Sequence, residues 1–204
     1  PRNDWSPSIA ADTKGRVYVA WDTYDKENYD VALHWEGGDG GSGQSIVADS
    51  PRFEARPCVY CDGQDRAWVA YEEGDEQWGK DYASSDGYAK VGLKNNPGFA
   101  LYVNRTIQLK CLVGGAWQQP AASLQDAYGA NLARGRSLPR LTSDAAGGLW
   151  LLFRHHPLPN GQGEAWHSYA LRFDGSGWSA PKEVPSSSNL LDNRPAAVPF
   201  GPGI

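Results

Sequence analysis

SPSIAADTKGRVYVAW, residues 6–21, is the stretch on which the reading of this chain turns, because its pattern recurs. Counted from Pro7, an Asp falls at +5 (Asp12), a Gly at +8 (Gly15) and aromatics at +11 and +14 (Tyr18, Trp21). The same offsets from Pro57 give Asp62, Asp65, Trp68 and Tyr71, and from Pro139 they give Asp144, Gly147, Trp150 and Phe153. From Pro195 the pattern begins again. A recurrence of this kind decides the architecture before any single residue does.

Within the first repeat, Pro7–Ala11 reads as a short strand and Asp12–Gly15 as a hairpin turn. Arg16–Trp21 is the return strand, with Val17, Val19 and Trp21 on one face and Tyr18 and Ala20 on the other. Tyr29–Trp35 and Gln44–Ala48 supply two more strands, so about 50 residues hold four antiparallel strands, the size of one propeller blade. Asp12, Asp62 and Asp144 are expected to cap their own turns, and the recurring aromatics to fill the wedges between sheets. The recurring prolines lie 50, 82 and 56 residues apart by subtraction. Setting aside insertions at 72–104 and 154–164 brings each spacing to about 45–50, the usual blade period. Third strands then fall near Arg105–Leu112 and Trp166–Phe173, and glycine turns lead into Trp117-Gln118-Gln119-Pro120 and Trp178-Ser179-Ala180-Pro181. The expected fold is an all-β, partial β-propeller of four-stranded antiparallel blades. Its repeats run at about 5–50, 51–137 and 138–192, with the first strand of another at 193–204. Helix is limited to a turn near Leu124–Ala133.

At 204 residues and 22.2 kDa the chain has room for one large β domain or two small ones. Its 24 Gly, 14 Pro, 9 Trp and 10 Tyr suit many turns and aromatic packing, and argue against a helical bundle or disorder. A net charge of −5 and a pI near 5.3 give no electrostatic reason to expect nucleic acid or an anionic membrane as partner. No apolar run approaches bilayer-spanning length, and the chain begins at Pro1 with no signal peptide, so it reads as a piece of a longer precursor or a processed product. Cys58 and Cys61 form a Cys-x-x-Cys inside the recurring strand, where residues i and i+3 point to opposite faces. They are expected as small buried hydrophobes rather than a zinc or redox pair, and with Cys111 they make an odd number. No His-x-His, His-Glu-x-x-His or clustered Asp/His spacing occurs, so no metal and no cofactor are expected.

The recurring Pro…Asp-x-x-Gly-x-aromatic-x-x-aromatic segment, with FDGSGWSAP at 173–181, resembles the sialidase-like or six-bladed propellers of large bacterial extracellular proteins. The 173–181 piece is similar to the Asp-box turn, in which an Asp-x-Gly hairpin packs a following Trp. It lacks that motif's leading Ser/Thr and differs in its Asp-to-Trp spacing. The segment EQWGKDYASSDGY, from Glu76, with LYVNR at 101–105, resembles a Trp-Gly-Lys-Asp loop of the propeller region preceding a PHP-like metal-dependent hydrolase domain. These resemblances imply a secreted or periplasmic protein, and a hydrolase domain of the same precursor as a partner. The His-x-His motif of that hydrolase is absent from this sequence, so no catalytic residue is carried over.

In a blade, strand one lies at the central channel and strand four at the rim, and two-to-three loops open on the same face as the segments entering strand one. Both insertions therefore fall over one mouth of the channel, where loops carry function. Topology gathers Arg56, Glu72, Glu73, Arg154, His155 and Arg194 at that mouth, together with Trp78, Lys80 and Asp81 of the first insertion. Asp4, Asp22, Arg136 and His156 fall on the same face, and any of these positions also reads as an ordinary polar strand end. Arg56-Pro57 and Arg194-Pro195 occupy one position of two repeats, where Ser6 and Leu138 stand in the others. They resemble how sialidases present arginines to a carboxylate, a task the planar guanidinium fork suits. Trp78, Lys80 and Asp81 suit stacking and hydrogen bonding to a sugar, or a loop packed on its own aromatics. Adjacent histidines in an extended chain diverge, so His155 and His156 are not expected to share a metal.

Two function classes follow. One is a non-catalytic binding or scaffold module that recognises carbohydrate or orients a hydrolase domain. The other is a glycan hydrolase of sialidase-like type with its site at the channel mouth. Hydrolysis needs two suitably spaced carboxyl groups or a Tyr/Glu pair. The discriminating feature is whether Glu72 or Glu73 faces another acid or Arg56 over an open pocket. Three blades do not close a ring, so the missing blades lie in further sequence or the open blade edges support self-association.

Overall fold

The computed structural model describes residues 3–25, 28–38, 41–76, 104–132, 135–156, 165–188, 194–199 and 204. Three four-stranded antiparallel sheets follow one another along the chain. Blade 1 is β1 (Asn3–Ala11), β2 (Arg16–Asp25), β3 (Asn28–Gly37) and β4 (Gly43–Ala48). Blade 2 is β5 (Glu54–Cys61), β6 (Ala67–Glu73), β7 (Thr106–Val113) and β8 (Ala116–Gln118). Blade 3 is β9 (Arg136–Ser143), β10 (Leu149–His155), β11 (His167–Phe173) and β12 (Lys182–Glu183). Strand order within each sheet is sequential, so every blade is a meander and the chain is an all-β partial propeller.

The hairpins form where the recurring Asp predicts them. Asp62 Oδ1 accepts the Gln64 and Arg66 N–H groups at 2.9 and 3.0 Å, and its Oδ2 takes the Trp68 indole N–H at 2.7 Å. Asp144 repeats this with Ala146, Gly148 and the Trp150 indole at 3.0, 2.9 and 2.8 Å. In blade 1 the Tyr18 hydroxyl replaces the indole, donating to Asp12 Oδ2 at 3.4 Å. The +5 carboxylate therefore closes the turn and pins the +11 ring in one stroke.

The cores lie between blades. Tyr18, Ala20, Val31 and Leu33 of blade 1 pack on Val59, Ala67, Val69 and Tyr71 of blade 2. The opposite face of blade 2 (Cys58, Trp68, Ala70, Ile107 and Leu109) packs on Leu141, Leu149, Leu151 and Phe153 of blade 3. A short helix α1 (Leu124–Tyr128), capped by Ser123, and a 3-10 turn (Ala130–Leu132) fill the rest of that second wedge with Leu124, Tyr128 and Leu132. The three cysteines are free and packed as small side chains; Cys58 is buried and its Sγ accepts the Leu141 N–H at 3.4 Å.

β1 starts at Asn3 rather than Pro7, and two further differences from expectation bear on the site. The second strands of blades 2 and 3 run two residues past the +14 aromatic, so Glu72, Glu73, Arg154 and His155 are ladder residues rather than the start of insertions. The reason is pairing: Ala55 and Glu54 stand opposite Glu72 and Glu73, and Ser137 and Arg136 opposite Arg154 and His155. Residues 194–199 are in no strand, although Pro195 is buried. A first strand here takes its ladder from the second strand of its own blade, and 194–199 have no such partner among the described residues.

Candidate functional site

The site is built by one irregularity, used three times. Ser6, Arg56 and Leu138, each directly before a proline, adopt left-handed φ values of 49°, 53° and 53°. Register shifts mark a bulge at the same place in β1, β5 and β9. A non-glycine residue in this region costs about 1–2 kcal/mol, and a bulge re-aims the side chains around it. The strain is offset from the neighbouring blade. Asp22 Oδ1 accepts the Arg56 N–H at 3.0 Å, and Glu72 Oε1 accepts the Leu138 N–H at 2.8 Å. Asp22 and Glu72 both stand at +15, so the +15 carboxylate of one blade's second strand holds the bulge of the next.

The bulges turn their flanking residues into a cleft of about 690 Å³ on the inner strands. Ser6 and Ser8 come from blade 1, Arg56 and Cys58 from blade 2, Leu138, Arg140 and Arg154 from blade 3, and Arg194 from the segment after it. No carboxylate lines the cleft among the described residues. Arg154 is buried, donates from Nε to Ser137 Oγ at 2.7 Å, and lies 3.9 Å over the Trp166 ring. Arg140 Nη1 donates to the Pro139 carbonyl at 2.8 Å.

Arg56, Arg154 and Arg194, expected at one mouth from topology, do meet there. The acids do not. Glu72 is fully buried behind Arg56, taking Arg56 Nη1 at 3.2 Å and Arg105 Nη1 at 2.6 Å besides the Leu138 N–H. With three donors it is a structural anchor. Glu73 turns to Arg52 Nε at 3.3 Å and Gln108 Nε2 at 3.2 Å. Asp22 is buried too, and burial raises its pKa against the lowering effect of the Arg56 N–H and the Ser6 side chain. His155 is buried edge-on to Tyr169, with ring centroids 5.9 Å apart, and His156 packs on Trp166. No group of three or more His, Cys, Asp or Glu among the described residues is arranged to hold a metal ion. Trp78, Lys80 and Asp81 lie outside the described residues.

Arg136 is not at the mouth. Its guanidinium is buried under α1, 3.6 Å from the Tyr128 ring, and bonded to the Leu132 carbonyl, Thr106 and Gln125 Oε1. Arg140 was missed by sequence reasoning, yet it stands one residue after the recurring proline, as Ser8 and Cys58 do. The repeat therefore held the signal. Blade 1 also carries an aromatic ledge: exposed Trp5, next in sequence to the cleft residue Ser6, and exposed Tyr24 meet across Tyr29 at 5.4 and 5.1 Å.

No protein-family model matches this sequence, and no curated protein matches it. Solved structures do. The Hadza microbial sialidase Hz136 aligns at TM-score 0.58 and 12% identity over 88% of this chain and 38% of its own. A Bacillus subtilis levansucrase variant aligns at TM-score 0.52 and 8% identity over 93% and 55%. The endo-arabinase of Bacteroides thetaiotaomicron VPI-5482 aligns at 0.50 and 10% over 90% and 62%. At these identities what is shared is the β-propeller fold, and the chain spans between 38% and 62% of those proteins' length.

Proposed function

We propose that this chain is a carbohydrate-binding part of a propeller, recognising an acidic saccharide through the arginine-lined cleft. The observation that carries the reading is that Arg56, Arg140, Arg154 and Arg194 line one cleft with no carboxylate among its described lining. In a protein of net charge −5, this local reversal favours an anionic group. Guanidinium groups pair with carboxylate or sulfate through charge-assisted, often bidentate bonds. Trp5 and Tyr24 offer rings on which a sugar stacks. The three glycan-active propeller enzymes that share the fold support a carbohydrate-related role without fixing the ligand.

Binding without catalysis is the reading favoured by the acids. Glycoside hydrolysis needs carboxyl groups free to exchange protons or attack, whereas Glu72 is saturated by three donors and Glu73 is turned to Arg52. No helix among the described residues is long and apolar enough to cross a membrane. A secreted or periplasmic location, with a hydrolase domain of the same precursor beside the propeller, completes the proposal and rests on the sequence resemblance alone.

A glycan array followed by calorimetry tests this. Uronate-, sialate- or sulfate-bearing oligosaccharides are expected to bind and their neutral counterparts not to. Arg140→Ala or Arg194→Ala should weaken binding about tenfold or more, as for a lost charged hydrogen bond. Equal retention of neutral and acidic glycans by all three proteins would overturn the reading. Turnover of a sialoside or uronide by the unsubstituted protein would replace it with the hydrolase.

A further inference from the structure

The two ends of the blade stack are unlike. Each later blade meets its predecessor through positions +2, +10, +12 and +14. In blade 2 these are Val59, Ala67, Val69 and Tyr71, and in blade 3 Leu141, Leu149, Leu151 and Phe153, all buried. The same offsets in blade 1 are Ile9, Val17, Val19 and Trp21. Ile9 is 71% exposed and Val17 37%, while Val19 and Trp21 are half-buried. Ile46, which shares their face through its register with Ala32 and Trp21, is 40% exposed. At the far end of the stack, Leu152 and Ala170 on the outer face of blade 3 are already buried.

We propose that the outer face of blade 1 is the docking site for one more four-stranded blade of this repeat, one that carries a carboxylate at the +15 position of its second strand. Two features identify the occupant. The face repeats, position for position, the surfaces that blades 2 and 3 bury against a preceding blade. Ser6 also holds the left-handed bulge whose N–H, in Arg56 and Leu138, is taken by the preceding blade's Asp22 or Glu72. The third blade of a second copy does not meet this requirement. It carries Arg154, a donor only, at the +15 position, and Arg140 at the +1 position where Ser8 and Cys58 stand.

The test adds such a blade in register. Residues 1–50 are duplicated ahead of Pro1 of the full chain, which keeps the 50-residue proline spacing and supplies an Asp22 aimed at the native Ser6. Three results are expected. Ile9→Asp in the native blade leaves the melting temperature of the 204-residue chain within about 1 °C but lowers that of the duplicated protein by about 4 °C or more, at 2–4 °C per kcal/mol for this size. The Ser6 amide exchanges at least about tenfold more slowly in the duplicated protein. That protection is lost on Asp22→Asn in the added blade alone. The proposal is overturned if the added blade remains open to proteolysis, or if Ile9→Asp is neutral in both proteins. It is equally overturned if the 204-residue chain sediments as a dimer that Ile9→Asp dissolves, since the occupant is then a second copy.

Discussion

At the scale of single residues, a few carboxylates do most of the organising, and each does so by collecting N–H groups. Burial pushes the Asp62 pKa up, but the Trp68 indole and the Arg66 and Gln64 N–H groups outweigh it and hold the carboxyl below its ordinary value. Asp144 is lowered further, first by Arg172 and then by the Trp150 and Gly148 N–H groups. A carboxyl lowered by folding adds stability that is present above the unfolded value near 3.8 and is lost as pH falls through the folded one. Stability should therefore fall below about pH 4, and Asp144→Asn should flatten that acid limb in urea melts; an unchanged limb would remove Asp144 as its source. Asp22 and Glu54, raised by burial, act in the opposite sense, since protonation favours the folded state as pH falls through their values. Glu72→Gln removes the carboxylate charge paired with the buried Arg105 guanidinium and is expected to cost about 3–5 kcal/mol, as breaking a buried ion pair does. A loss under about 1 kcal/mol on denaturant unfolding would refute its anchoring role.

At the scale of elements, each sheet has two working faces and the wedges between sheets are the cores. Phe153 is fully buried on β10, edge-on to Tyr128 at 5.3 Å and stacked on Tyr169 at 5.8 Å. Phe153→Ala should cost about 3–5 kcal/mol, because the rings around it cannot close the void. Exposed Val113 at the end of β7, cut to Ala, should change stability by no more than about 0.5 kcal/mol. The fourth strand of blade 3 shows how one residue re-routes an element. Trp178 bridges Phe173 and Ser179 donates its N–H to the Arg172 carbonyl, but Pro181 has no N–H to give, and the ladder resumes only at Lys182–Glu183. The inner strands carry their proline at a bulge, where a missing N–H breaks no ladder bond.

At the scale of the whole molecule, an acidic chain gathers arginines around one cleft and leaves an apolar face at one end of the stack. Ligand attraction to such a cleft is electrostatic and screened over about 8 Å at physiological ionic strength. Affinity for an acidic glycan should therefore fall steeply between 0.05 and about 0.5 M salt, and calorimetry across that range checks it. A salt-independent affinity would point to the Trp5 ledge alone.

The recurring offsets determined the blades, their hairpins and the capping role of the Asp series, because those depend on bonds between residues close in sequence. They also implied that Arg56, Arg154 and Arg194 share one mouth, since topology alone sends those strand ends the same way. Which acids stay open there was decided only in three dimensions. Glu72 is claimed by Arg105, just ahead of β7, and by the Leu138 N–H from another blade, contacts that no spacing within a repeat can announce. Arg140 reached the cleft for the same reason: a left-handed residue just before Pro139 turned the strand, and its strain is tolerated because the neighbouring blade supplies the acceptor.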